Sequence, residues 1–127
     1  MFNRIHHVSL ICSDYERSKR FYTEALELEI IREVFREERK SYKLDLALNG
    51  FYILELFSFP EPPPRLTRPE ACGLRHLAFE VNNIDKAIDR LLEKGIVAEP
   101  IRQDEQTGKR FSFISDPDGL PIELYEK

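Results

Sequence analysis

Imidazoles and carboxylates both ligate divalent metals and move protons, and four of them stand at matched places in this 127-residue chain: His7, Glu55, His76 and Glu123. His76 follows His7 by 69 residues, and Glu123 follows Glu55 by 68. Their flanks match as well. His7-Val-Ser-Leu lies over His76-Leu-Ala-Phe, and Ile53-Leu-Glu55-Leu-Phe over Pro121-Ile-Glu123-Leu-Tyr. A lone His or Glu in an apolar strand is ordinarily a surface or edge residue. Repetition changes that reading, because an unpartnered carboxylate withdrawn from water is unfavourable, and making the same choice twice calls for a shared cause. Two imidazoles and two carboxylates suit one divalent ion of the first transition row (Zn, Ni, Co, Mn or Fe) better than Ca or Mg. The alternative is a His–Glu hydrogen-bonded network without metal.

The elements that must position these groups follow from pattern. Ile5–Cys12 is short, apolar and β-branched, a strand. Asp14 is suited to cap a helix reaching about Leu28, with Tyr15, Tyr22, Ala25 and Leu26 near one face. Strands follow at about Glu29–Glu37, Tyr42–Leu48 and Phe51–Phe59, the last two joined by Asn49-Gly50, a strong hairpin signal. The pattern then restarts. Leu74–Val81 reads as a strand. Asn83 caps a helix with Ile84, Ala87, Ile88, Leu91 and Leu92 at helical spacing, ended by Gly95. Strands at about Val97–Arg102, Arg110–Ser115 and Pro121–Glu126 complete it, with Asp116-Pro-Asp-Gly119 turning into the last. The chain is thus α+β, two βαβββ modules at about 5–59 and 74–127 forming a curved mixed sheet, read as one domain. Between them, residues 60–73 hold five of the eight prolines and read as a semi-extended linker. Side chains alternate across a strand, so the apolar rows pack under the helices while His7, Glu55, His76 and Glu123 take the opposite, concave face. His6 competes with His7 as a ligand, but alternation and the repeat select His7.

From His7-Val through His76-Leu-Ala-Phe to Asp116-Pro-Asp-Gly-Leu-Pro-Ile-Glu123-Leu, the sequence resembles the vicinal oxygen chelate superfamily, and within it the glyoxalase I-like proteins. The resemblance spans nearly the whole chain. It implies a metal-dependent lyase or isomerase in which His7, Glu55, His76 and Glu123 are ligands in that order. It also implies that Glu123, with Glu55 as the alternative, carries a proton beside a chelated carbonyl. Methylmalonyl-CoA epimerases look similar but usually place Gln second, and extradiol dioxygenases use two His and one Glu. A dioxygenase and a non-catalytic binding or resistance module are the alternatives. Bacterial glyoxalase I typically places Arg four residues after the first ligand and Asn four after the second, both holding glutathione. Here those positions are Ile11 and Phe59, which points to another small oxygenated substrate. By the same resemblance the modules pair across a homodimer. The linker, spanning at most roughly 46 Å, also permits pairing within one chain.

Composition bounds the remainder. With 42% hydrophobic and 33% charged residues the chain can bury a core. A net charge of −4 with no basic stripe argues against nucleic acid. No apolar run is long enough for a membrane span, and the N-terminus lacks a signal-like stretch, so the expected location is cytoplasmic. Cys12 reads as a small core residue and Cys72 as a loop thiol, with no disulfide framework. Lys109 and Arg110 could meet an anionic substrate or simply end a strand in water. Arg65, Arg68 and Arg75 flank the linker and could line the mouth of the site. Phe57 and Phe59 share the face of Glu55 and suit either core or substrate platform.

Overall fold

The computed structural model describes residues 1–127 and resolves into two units, Met1–Pro64 and Arg65–Lys127, each described by itself. Unit one contains β1 (Val8–Cys12), α1 (Tyr15–Arg20, continuing as a π-helical turn over Phe21–Ala25), β2 (Glu29–Arg36), β3 (Ser41–Leu48) and β4 (Phe51–Ser58). Its sheet runs β1-β4-β3-β2, with β1 parallel to β4 and the other pairs antiparallel. Unit two contains β5 (Leu77–Val81), α2 (Ile84–Glu93), β6 (Arg102–Gln103), β7 (Arg110–Ser115) and β8 (Pro121–Glu126). Its order, β5-β8-β7-β6, repeats the first, again with one parallel pair. Each module is therefore βαβββ and closes its own four-stranded mixed sheet, an α+β architecture. No helix is long and apolar enough to cross a membrane.

Local chemistry explains these elements. Asp14 caps α1, its carboxylate accepting from the Arg17 N–H at 3.1 Å, and Asn83 caps α2 by accepting from Lys86 at 2.9 Å. Asn49 and Gly50, at φ +50° and +78°, make the tight turn between β3 and β4. Asp116 folds its turn by accepting from the N–H groups of Asp118 and Leu120 at 2.9 and 2.8 Å. The core of unit one joins Leu44, Leu46, Leu54 and Leu56 of the sheet to Tyr15, Ser18 and Tyr22 of the helix. That of unit two joins Ile114, Ile122 and Leu124 to Ile84 and Leu91. The alternating apolar rows face the helices, as the period-2 pattern requires.

Three expectations need correction. The strand expected at Val97–Arg102 survives only as Arg102–Gln103, because Pro100 has no N–H to give the ladder. Near it, Glu99 N–H reaches the Phe113 carbonyl at 2.8 Å without a regular ladder. β1 and β5 begin three residues later than expected, so His7 and His76 stand just before their strands rather than within them. Leu92 is 56% exposed and lies off the buried face of α2. The expected linker carries ties of its own over residues 65–73. Arg65 donates to the Leu74 and Arg75 carbonyls at 2.5 and 3.1 Å, and Thr67 to the Gly119 carbonyl at 2.9 Å, tying this stretch to unit two.

Candidate functional site

In unit one, Glu55 sits at the middle of β4 directly beside Ser9 of β1 and Asp45 of β3. Its carboxylate accepts from Ser9 Oγ and from the Tyr52 hydroxyl, both at 3.1 Å. The Lys43 ammonium lies 3.4 Å away and His7 Nε2 3.8 Å. His7 turns its other ring nitrogen to His6 Nδ1 at 2.9 Å, and both imidazoles pack against Tyr52 with centroids 5.0–5.1 Å away. His6 is thus a neighbour that orients His7, in the way a ligating histidine is commonly fixed through its second nitrogen.

Behind Glu55 lies a polar network that the sequence reading missed. Asp45, fully buried, accepts from Tyr52 at 2.8 Å, from Arg32 Nε at 3.1 Å and from Lys43 at 3.1–3.2 Å. Burial pushes its carboxyl up, but the Tyr52, Lys43 and Arg32 donors outweigh that and hold it below the ordinary carboxylate range. Burial, then the Asp45 and Glu55 carboxylates, pushes the Tyr52 phenol well above its usual value, so it remains a donor. A signal for half of this was present. Lys43 and Asp45 alternate with Leu44 and Leu46, which assigns them to the face of Glu55. Tyr52 carried none, because alternation puts it on the face of Leu54. The ladder steps from Leu46–Leu54 to Ala47–Tyr52, so β4 holds one extra residue there, and that bulge returns Tyr52 to the side of Glu55. A similar step between Ile30 and Arg32 brings Arg32 beside Asp45.

In unit two, Glu123 sits at the middle of β8, and His76 Nε2 lies 3.1 Å from its carboxylate. The positions equivalent to Ser9, Asp45 and Lys43 are Ala78, Phe113 and Phe111, by register against Glu123 and Tyr125. Glu123 therefore has His76 as its only polar partner, among aromatic neighbours; the His76 and Phe113 rings meet edge to face at 5.4 Å. His76 Nδ1 is buried with no hydrogen-bond partner.

The structure thus brings His7 to Glu55 and His76 to Glu123. In a single chain no three His, Cys, Asp or Glu side chains form a metal-holding group. The pairs themselves fit a metal. Nitrogen and oxygen ligands about 2.0–2.2 Å from a common ion stand roughly 3 Å apart at right angles and more at wider angles. The 3.1 Å pair matches the former and the 3.8 Å pair a wider angle.

Other candidates settle as follows. Arg110 is held bidentately by Glu126 at 2.7 and 2.8 Å and reaches Asp85 at 3.0 Å, so it clamps β7, β8 and α2. Phe57 and Phe59, both half-buried, stack at 5.8 Å beneath the Arg36 guanidinium, while Phe111 and Phe113, beneath Arg102, meet edge to face at 6.1 Å. Ile11 is 59% exposed beside Phe57. Cys12 is buried, its thiol 3.3 Å from the Phe57 carbonyl, and Cys72 is exposed.

Comparison with known proteins places this geometry. The chain is 63% identical to the uncharacterized protein YwkD of Bacillus subtilis, over 100% of this chain and 99% of that one. It is 29% identical to the lactoylglutathione lyase of Salmonella typhimurium, covering 97% and 92% of the two chains. A glyoxalase family protein from Enterococcus faecalis superposes with a TM-score of 0.91 at 49% identity, covering 98% of each chain. Residues 4–124 match one family throughout, and the chain belongs to the Glyoxalase/Bleomycin resistance protein/Dioxygenase superfamily.

Proposed function

We propose that the protein is a metal-dependent lyase or isomerase, transferring a proton next to the carbonyl of a small oxygenated substrate, with His7, Glu55, His76 and Glu123 as the metal ligands. Each module supplies half of a coordination set, so the reading requires the two pairs to share one ion. They would do so within a chain acting as a single domain or, as in the glyoxalase I pattern, across a homodimer. The bound metal would act as a Lewis acid toward charge that develops as a C–H proton leaves.

The observation that carries the reading is the difference between the two carboxylates. Glu55 is held by Ser9, Tyr52 and Lys43 as well as His7. Holding a carboxylate with two hydroxyl donors and an ammonium makes it a fixed anchor. Glu123 has one polar partner and apolar neighbours, which leaves it free to swing and to accept the proton at its Oε atoms. Glu123 is therefore the general base, a role that typically contributes about 10²–10⁴-fold. His7 is oriented through His6, and Phe57 and Phe59 offer an apolar wall beside the anchor. The apolar Ile11 and Phe59, where glutathione contacts stand in bacterial glyoxalase I, favour a substrate other than a glutathione adduct.

Metal analysis of protein purified without chelators tests the centre, with stoichiometric Zn, Ni, Co, Mn or Fe expected in the wild type and lost in His76→Ala. Glu55→Gln should weaken metal retention more than Glu123→Gln, whereas Glu123→Gln should abolish proton exchange on a bound hydroxycarbonyl compound. Metal-free wild-type protein that refuses all five ions would sink the proposal.

A further inference from the structure

Unit two has a cleft of about 160 Å³, many times the ~10–15 Å³ that one water needs, and its wall is basic. Arg65, Arg68 and Arg75 line it with Thr67, Glu70 and Pro121. Three guanidiniums against one carboxylate make this wall positive, in a chain whose net charge is −4. The three arginines do different things. Arg65 is structural: Nε donates to Thr67 Oγ1 at 3.0 Å and Nη2 to the Leu74 and Arg75 carbonyls, while Thr67 passes the tie to the Gly119 carbonyl. This fixes the backbone of the loop against the turn that leads into β8. Arg68 and Arg75 are exposed and line the same cleft, and neither guanidinium has a hydrogen bond, carboxylate or ring as partner. Arg110 and Arg102, by contrast, are committed to Glu126 and to Phe111. A fixed loop presenting two uncommitted planar donors to a cleft is suited to an oxyanion, which a guanidinium grips through paired N–H groups.

Position gives this cleft its meaning. Pro121 and Glu123 alternate on the same half-buried side of β8, two residues or roughly 7 Å apart, and Arg75 adjoins His76 in sequence. We propose that Arg68 and Arg75 form a subsite for an anionic group, a carboxylate or a phosphate, carried by the substrate a few bonds from its vicinal oxygens. The substrate part of this inference rests on the function proposed above; the anion site itself does not.

The test uses the full chain in two states. In metal-free protein, inorganic phosphate and acetate are titrated while the ¹⁵N-edited Nε–H signals of the arginines are followed. Saturable shifts confined to Arg68 and Arg75 are expected. Phosphate binding tighter than acetate assigns a phosphate-bearing substrate, and the reverse order a carboxylate. Arg68→Ala and Arg75→Ala should each weaken binding about tenfold or more, with an unchanged unfolding temperature as the check on folding. Absence of saturation by both anions, or a double variant that binds like the wild type, overturns the subsite. In metal-loaded protein, phosphoglycolate should bind more tightly than phosphate alone, and His76→Ala should erase the gain. Saturation by phosphate in a protein that holds no metal would leave the subsite standing and remove the proposed function. Metal retention without anion binding would do the opposite.

Discussion

Replacing Asp45 with Asn should destabilise the protein by about 2–4 kcal/mol at pH 7, and the number can be built from the contacts. Asp45 is the only fully buried charged residue, and its two oxygens take donors from Tyr52, Lys43 and Arg32. Arg32 contributes little, since its side chain is 62% exposed and water screens the pair to less than about 1 kcal/mol. Tyr52 and Lys43 are the shielded donors, and a hydrogen bond to a charged group is worth about 1.5–3 kcal/mol. Asn keeps one acceptor, turns an NH₂ toward donors, and relieves part of the desolvation of the carboxylate, which lowers the total. At this chain length roughly 3–5 °C accompanies each kcal/mol, so unfolding should move down by about 6–20 °C.

The pH dependence supplies an independent check. Folding lowers the pKa of Asp45. Its contribution is then complete above the ordinary carboxylate range and is lost as pH falls through the depressed folded value. The gap between wild type and Asp45→Asn should therefore be widest near neutrality and close in acid. Urea unfolding followed by far-ultraviolet circular dichroism at several pH values, with unchanged m, measures both. A variant within about 0.5 kcal/mol of wild type at pH 7, or a gap constant from neutral to acid pH, would refute the reasoning.

Two further outcomes are expected. Arg110, then the Ile84 N–H, holds the Glu126 carboxyl down at about 2 against an ordinary 4.5, so its contribution is complete above 4.5 and disappears as pH falls toward 2. Glu126→Gln should flatten the acid limb of the stability profile in that window, which acid titration followed by circular dichroism reads directly. Gly50→Ala should cost about 1–2 kcal/mol in urea unfolding from backbone strain alone, because φ is +78° and the new Cβ would meet nothing within 4 Å.

Most of the fold was legible because its signals are local. Asp14 and Asn83 cap helices by their own side chains, Asn49-Gly50 meets the dihedral demands of its turn, and the Leu44–Leu46 and Leu54–Leu56 rows state which face is buried. What was hidden depends on partners. The strand expected at Val97–Arg102 contains Pro100, whose missing N–H matters only where a ladder needs it. Arg65 reads as linker charge until its guanidinium is seen closing on the Leu74 and Arg75 carbonyls. The candidate site divides the same way. His–Glu pairing within each module follows from the repeat, whereas the polar face of Lys43 and Asp45 follows from their alternation with Leu44 and Leu46 and has no counterpart in the second module. Tyr52 and Arg32 reach that face only because bulges shift the pairing in β4 and β2, and a bulge leaves no trace in alternation.

The repeat accounts for a His–Glu pair in each module, but it does not account for the difference in their surroundings. Had selection required only two equal ligand pairs, Ser9, Lys43 and Asp45 would have served equally well in the second module. Instead those places hold Ala78, Phe111 and Phe113. The first module surrounds its carboxylate with groups that fix it, and the second with groups that leave it alone. A pair kept only for binding gains from being fixed, since ligands held in place lose less freedom on coordination. A carboxylate required to leave its place and take a proton is hindered by the same restraint. The proposed proton transfer asks for one carboxylate of each kind, and the residues around Glu55 and Glu123 differ in that sense.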